Sequence, residues 1–425
     1  MPEYSIAECG MRIADWKIGR GNNINSYNCI GMNNQKQNKN AKHNIINPPS
    51  PRSNYIIHLQ RKKSASHRTI IQVGLIIRYP AVACSVLLLI LLVGCESVHY
   101  YSQAIQGQYD ILDNRQPISE VMADPDSPVT LRKKLGHILA VRQFAENELQ
   151  LPVGNHYQTY VDIERPYVVW NVFAAPELSL TPKTWCYPVV GCAAYRGYFS
   201  EKNARGYAAE LSRQGYEVYV AGVTAYSTLG WFNDPVLSTF VQYSEGQSAA
   251  LIFHELAHQV LYVKGDTAFN ESFATAVEQE GLKRWQEKNR SSHLFVDYLS
   301  DYRRRQQLIE LILQYRRKLE TLYQSDASAK AKKNQKALII SALKQEFNQL
   351  KTLENGLSAY DGWMNDSLNN AKISSIAAYH DFVPAFQKIL AAKDGDLNQF
   401  YRVCRSLAEE SREERHRILN GYLEN

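Results

Sequence analysis

Apolar residues recur three and four positions apart over Val98–Leu112 and Thr130–Leu149, the spacing that gathers them on one face of a helix. Strand-like runs follow at His156–Ile163, Tyr167–Ala174 and Tyr216–Tyr226, rich in Val, Tyr and other β-formers. Asn203–Gln214 returns to the helical period and stops at Gly215, a residue suited to the left-handed position past a helix end. From residue 244 onward the pattern is almost wholly helical. Leu308, Ile312, Tyr315, Leu319 and Leu322 step along one face, and Ile340, Leu343, Phe347 and Leu350 along another, with the polar break Ser325–Ser328 between them. This predicts two antiparallel helices zipped along a seam, a hairpin over 300–353. Lys330, Lys332, Lys333 and Lys336 at its tip read as a solvated turn within reach of anionic headgroups. The fold class is therefore α+β: a mixed strand and helix region packed on a mainly helical half that carries a long helical hairpin.

Before residue 96 the chain has a different character. Residues 22–54 include eleven Asn and few apolar positions, a composition that cannot bury a core and reads as disordered. Arg78 then precedes the sixteen-residue apolar run Tyr79–Gly94. At 1.5 Å per residue that run is shorter than the roughly 20 residues a bilayer crossing needs. A basic flank, a short apolar stretch and small residues before a cut describe a secretory signal, while a short membrane anchor is the plainer alternative. Leu92-Val93-Gly94-Cys95 resembles the bacterial lipobox, which implies cleavage before Cys95 and acylation of its thiol. Glu96, in place of the Asp that marks inner-membrane retention, implies the outer membrane by the same resemblance. A signal does not begin seventy residues into a chain. Residues 1–72 thus read as a mis-assigned start or disordered extension, 73–95 as the signal peptide with Val73 a candidate initiator, and 96–425 as the working domain.

Charge agrees with that division. The chain holds 48 Lys and Arg against 42 Asp and Glu, but residues 1–95 carry 12 against 3. The rest is net acidic, so the sequence gives no ground for a nucleic-acid partner. The seven cysteines form no CxxC pair, which argues against a thiolate metal site. Cys186 and Cys192, six apart in an exported chain, fit either a small-loop disulfide or two buried thiols.

One segment carries chemistry: Phe253-His254-Glu255-Leu256-Ala257-His258. Imidazoles at i and i+4 share one helical face and can reach one tetrahedral metal ion. Glu255, one step round, stands where a general base takes a proton from attacking water. The surrounding Ala249–Leu261 is apolar enough for a buried helix, in which two His and a Glu need partners, and a zinc ion is the simplest. Glu271 follows thirteen residues after His258 and opens another helix, beyond a turn in which Gly265 can end the first. Two His and one Glu leave a fourth position open, the catalytic type of zinc site. Glu278, seven residues on, shares the face of Glu271 and is placed either to orient a ligand histidine or to meet solvent; Asp266 competes for that role or serves as a turn residue.

HELAH followed by NESFA resembles the gluzincin metallopeptidases, whose third ligand is the Glu of N-E-x-F-A. The chain from Cys95 on resembles, more closely, a bacterial family of putative aminopeptidases with a lipoprotein-type N-terminus. The matching segments are Tyr216–Ser238, the HELAH helix, NESFATAVE and Ala378–Leu390. The resemblance implies a zincin-like helical half, zinc on His254, His258 and Glu271, and Glu255 as base. It also implies a peptide substrate, a membrane held through the N-terminal lipid, and a place on the periplasmic side of the envelope. The gap to Glu271 is shorter than in the large aminopeptidases of that clan, and no G-x-M-E-N segment occurs. Tyr226 is the first choice for stabilising the oxyanion, because the segment before it resembles an edge strand that pairs with substrate. Tyr379 and His380 come next, then Tyr195 and Arg196. An envelope endopeptidase of the same chemistry, and a non-catalytic lipoprotein with structural zinc, fit the same residues.

Overall fold

A computed structural model describes residues 95–424, apart from 188–190, 227, 229–231, 291–292, 354–355 and 377–381. The lipidation motif up to Gly94 and the candidates Tyr379 and His380 lie outside the described residues.

Cys95 opens α1 (Cys95–Asp113), which leads through β1 (Gln116–Pro117) and α2 (Ile118–Ala123) into α3 (Val129–Asn147). The strands follow: β2 (Thr159–Val161), β3 (Val169–Pro176), β4 (Trp185–Tyr187), β5 (Gly191–Ala193) and β6 (Arg196–Tyr198). After α4 (Glu201–Arg213) come β7 (Tyr216–Val223) and β8 (Val236–Leu237). Beyond β8 the regular elements among the described residues are helical: α5 (Ser238–Val241), α6 (Glu245–Val260), α7 (Thr267–Asn289), α8 (Leu294–Gln324) and α9 (Ala329–Leu353). A 3-10 turn then leads to α10 (Asp361–Asn365), α11 (Asn370–Ser374), α12 (Val383–Ala391), α13 (Leu397–Glu409) and α14 (Arg412–Glu424). The α+β reading holds, with the helical part in the second half of the chain.

The central sheet runs β6-β3-β7, antiparallel throughout, with Asn171 opposite both Gly197 and Ala221. Alternation along β3 explains why this strand is buried on both faces. Trp170, Val172 and Ala174 pack with Ala204, Ala208 and Leu211 of α4, while Phe173 and Ala175 pack with Ala371 of α11. β7 lies at the sheet edge, where Asn369 Nδ2 donates to the carbonyl of Val218 at 2.9 Å. A second small sheet orders β1-β2-β8. In the β4–β5 hairpin Cys186 stands opposite Cys192, and the two sulfurs are bonded.

Helices α8 and α9 form the expected hairpin around the turn Ser325–Ser328, with Leu308, Ile312, Leu319, Leu343 and Phe347 buried in the seam. Its tip departs in part from the expectation of a solvated lysine cluster: Lys330 and Lys333 are exposed, whereas Lys336 is buried. Lys336 is 7% exposed and pairs with Glu217 of β7, and Lys333 pairs with Glu177 at 2.6 Å. The reason is that the hairpin folds back against the central sheet, where two acids and a strand-end carbonyl receive those ammonium groups. Among the described residues no helix is long and apolar enough to cross a membrane.

Candidate metal centre

Helix α6 begins with a capping box, in which Ser244 accepts from the Gln247 amide while the Gln247 side chain accepts from the Ser244 amide. Every residue from Ser248 to His258 is buried, as the apolar sequence demands. The helix stops at Val260, earlier than Gly265, which instead sits at φ +78° in the following turn. That turn is tied at both ends. Asn270 donates to the Val263 carbonyl and accepts from the Val263 amide, both at 2.8 Å, and Asp266 caps α7 by accepting from the Phe269 amide. The clamp brings the first turns of α7 alongside α6.

Close approach of the two helices also depends on Gly281 of α7. A Cβ there would lie 2.7 Å from Leu149 Cδ1 and 2.8 Å from Phe253 Cδ2, both on side chains with no exposed surface. Packed this tightly, α6 and α7 bring His254, His258 and Glu271 together, with one donor atom from each lying within 4.8 Å of the others. All three are buried. His254 Nε2 is 3.2 Å from one Glu271 oxygen and His258 Nε2 is 3.6 Å from the other.

Glu278 lies two turns on along the same face of α7, and its carboxylate accepts from His254 Nδ1 at 2.8 Å. With that proton on Nδ1, a neutral His254 presents the lone pair of Nε2 to a carboxylate oxygen. Two acceptors at 3.2 Å repel unless a cation stands between them. A second proton on His254 settles that pair alone, whereas a divalent ion settles all three donors together. Donors about 2.1 Å from a tetrahedral ion stand about 3.4 Å from one another, close to the two separations found here. The donor set fits a metal ion.

Glu255 is 8% exposed and lines a small cavity between α1, the segment after β7, and α6. Tyr226, Tyr157, Phe232, Phe240 and Leu251 form much of its wall. The cavity beside Glu255 is thus aromatic but narrow. Tyr226 borders the same cavity as Glu255, and its hydroxyl donates to Gln108 Oε1 of α1.

The remaining candidates are engaged elsewhere. Arg196 is stacked among Tyr100, Tyr207 and Tyr198, and Tyr195 packs on Phe173 of the central sheet. Asp266 has no exposed surface and, besides capping α7, accepts from Arg415 and His416 of α14; it holds helices together rather than orienting a ligand. Sequence reasoning missed Tyr262, whose ring meets His258 edge-on at 6.0 Å. It lies just past the end of α6, and nothing sets it apart from the other tyrosines among 27.

No curated protein and no solved structure matches the chain. A family model described as putative aminopeptidase matches residues 99–419, which takes in the strands, the triad and the hairpin. Its description points to a peptidase acting on peptides. On that match, spanning most of its length, the chain belongs to the putative aminopeptidase family.

Proposed function

We propose that the protein is a zinc-dependent peptide hydrolase, an aminopeptidase of gluzincin type, tethered to the bacterial envelope by lipid on Cys95 and facing the periplasm, with the outer membrane favoured. The observation that carries the catalytic part is the convergence of His254, His258 and Glu271 within 4.8 Å, with Glu255 on the same buried helix. The family's description supports the peptide substrate. The tether is supported by the sequence, in which the apolar run after Arg78 ends at Cys95.

His254 and His258 offer Nε2 and Glu271 a carboxylate oxygen, the set of a catalytic zinc site with a position left for solvent. Zinc bound there supplies Lewis acidity, which lowers the pKa of water toward about 7 and polarises a peptide carbonyl. Glu278 holds the His254 proton on Nδ1 and so keeps Nε2 as the donor. Glu255 takes the proton from the attacking water and passes it to the leaving amine. The apolar wall made by Ile111, Leu112, Phe240 and Leu251 limits bulk water around that carboxylate. Tyr226 serves the oxyanion by turning its hydroxyl from Gln108 toward the substrate.

The test is cleavage of matched peptides with free and acetylated amino termini by the purified protein, with and without chelator. Free-amine peptides are expected to be cut and the chelator to stop the reaction. Glu255→Gln is expected to keep its zinc and lose about 10²–10⁴-fold of the rate. Equal cleavage of acetylated peptides makes the protein an endopeptidase, and unchanged turnover by Glu255→Gln removes the general-base role.

A further inference from the structure

One face of α1 is packed on the body of the protein. Tyr100, Ala104 and Ile111 are buried, the Arg196 guanidinium lies 4.1 Å from the centroid of the Tyr100 ring, and Gln103 Oε1 accepts from the Phe199 amide at 3.0 Å. Another face carries Tyr101, Ile105 and Tyr109, which follow one another at four-residue steps and are 42%, 47% and 58% exposed. Among the described residues eight large hydrophobic side chains are left exposed. Three of them make this stripe, while the other five are spread over α3, α8, α9 and α14, so the stripe is a local concentration and not ordinary surface scatter. From Cys95 to Asp113 α1 holds no Lys or Arg, so nothing on it attracts an anionic partner. On the tether reading above, acyl chains leave the protein at Cys95, six residues before Tyr101, a stretch of at most about 22 Å in any conformation.

We propose that the face of α1 formed by Tyr101, Ile105 and Tyr109 rests in the headgroup layer of the bilayer that holds the lipid anchor, a second membrane contact beside Cys95. This rests on the tether reading. Tyrosine suits that layer, because its ring buries in the apolar boundary while its hydroxyl stays with the headgroups. Three partly exposed side chains offer far less than the roughly 800 Å² per partner of a stable protein interface, which disfavours a second copy of the chain as the occupant. A bilayer needs less, since the anchor already holds α1 beside it at high effective concentration. Gln108, Ile111 and Leu112 of the same helix line the cavity beside Glu255, so the contact keeps that cavity close to the membrane surface.

The experiment uses the full chain as purified from membranes and reconstituted in phosphatidylcholine vesicles, with and without bromine on the upper acyl carbons, while mass spectrometry of the Cys95 peptide reports acylation. Ile105→Trp and Tyr109→Trp each place a fluorophore in the stripe, and Leu338→Trp places one at an exposed position of α9. The emission added by each substitution is read as the difference from wild type. At 105 and 109 it is expected to shift to shorter wavelength on reconstitution and to be mostly lost in brominated vesicles, whereas at 338 it is expected to persist. Unquenched emission at 105 and 109 in a chain acylated on Cys95 overturns the inference and leaves the tether in place. Equal quenching at 338 also overturns it, by assigning the contact to the surface at large. A Cys95 without acyl chains overturns the tether reading itself, and the quenching at 105 and 109 still decides for or against the α1 face.

Discussion

Replacing Arg415 with methionine tests how helix α7, which carries Glu271, is anchored. Arg415 is 3% exposed and grips one oxygen of Asp266 with Nε at 2.9 Å and Nη2 at 2.7 Å. The guanidinium also lies over the Phe269 ring, 5.0 Å from its centroid, and Nη1 donates to the carbonyls of Ala408 and Glu410. Asp266 caps α7 five residues before Glu271, so the pair holds the start of that helix against α14. Removing one partner of a buried ion pair costs about 3–5 kcal/mol, because the other charge stays buried. Here Asp266 keeps His416 at 2.9 Å and the Phe269 amide at 3.2 Å, and methionine fills much of the volume of the arginine stem, so the lower figure of about 3 kcal/mol applies. At about 2 °C per kcal/mol, the value for the longer domains, the melting temperature falls by about 6 °C.

The pH dependence of that difference has a definite sign. Burial raises the Asp266 pKa, but hydrogen bonds from His416, Arg415 and the Phe269 amide outweigh it and hold the carboxyl below its ordinary value. A group with a depressed folded pKa contributes stability above its unfolded pKa, about 3.9 for Asp, and loses it as pH falls through the folded value. Thermal scans of wild type and Arg415→Met are thus expected to differ by a constant amount from pH 8 to about 5 and to converge below about pH 4. A variant melting within about 1 °C of wild type at pH 7 refutes the anchoring role, and a gap that does not narrow as pH falls below about 4 refutes the ionic account of it.

Two further substitutions bear on the packing of the site and on its independence from the strand region. Gly281→Ala gains about 1 kcal/mol of helix propensity but forces a methyl against Leu149 and Phe253, an overpacking cost of about 1–3 kcal/mol. Net destabilisation is expected in denaturant unfolding, and a stabilised variant contradicts the tight contact of α6 with α7. Replacing Cys186 and Cys192 together by serine opens a loop of six-residue separation and is expected to cost about 2 kcal/mol on the chain-entropy account. Chelator competition on that double variant is expected to give wild-type zinc affinity, because Trp185 beside the bridge packs in the cluster of the central sheet and α4. A weakened metal site shows that the two regions are coupled.

The convergence of His254, His258 and Glu271 was legible because local rules suffice for it. The four-residue step from His254 to His258 sets their common face, and the short turn before Asn270 allows Glu271 to return to it. The seven-residue step from Glu271 to Glu278 likewise pointed to the partner of His254. The hairpin was legible from its periodic seam, Leu308 to Leu322 and Leu343 to Phe347. What stayed hidden depends on contacts distant in sequence. Arg415 and Asp266 are 149 residues apart, and no local pattern pairs them. Lys336 sits in a lysine-rich stretch that reads as solvated, yet the fold carries it to Glu217, 119 residues away. Strand β8, at two residues, is too short for any alternation to register.

The central claim is that two imidazoles on α6 and one carboxylate on α7 hold a single zinc ion. It is tested most directly by elemental analysis of the purified wild-type chain and of Glu271→Ala, both dialysed against the same weak chelator. The account predicts close to one zinc per wild-type chain and a small fraction of that in Glu271→Ala. Equal zinc in the two proteins, or none in the wild type, contradicts it.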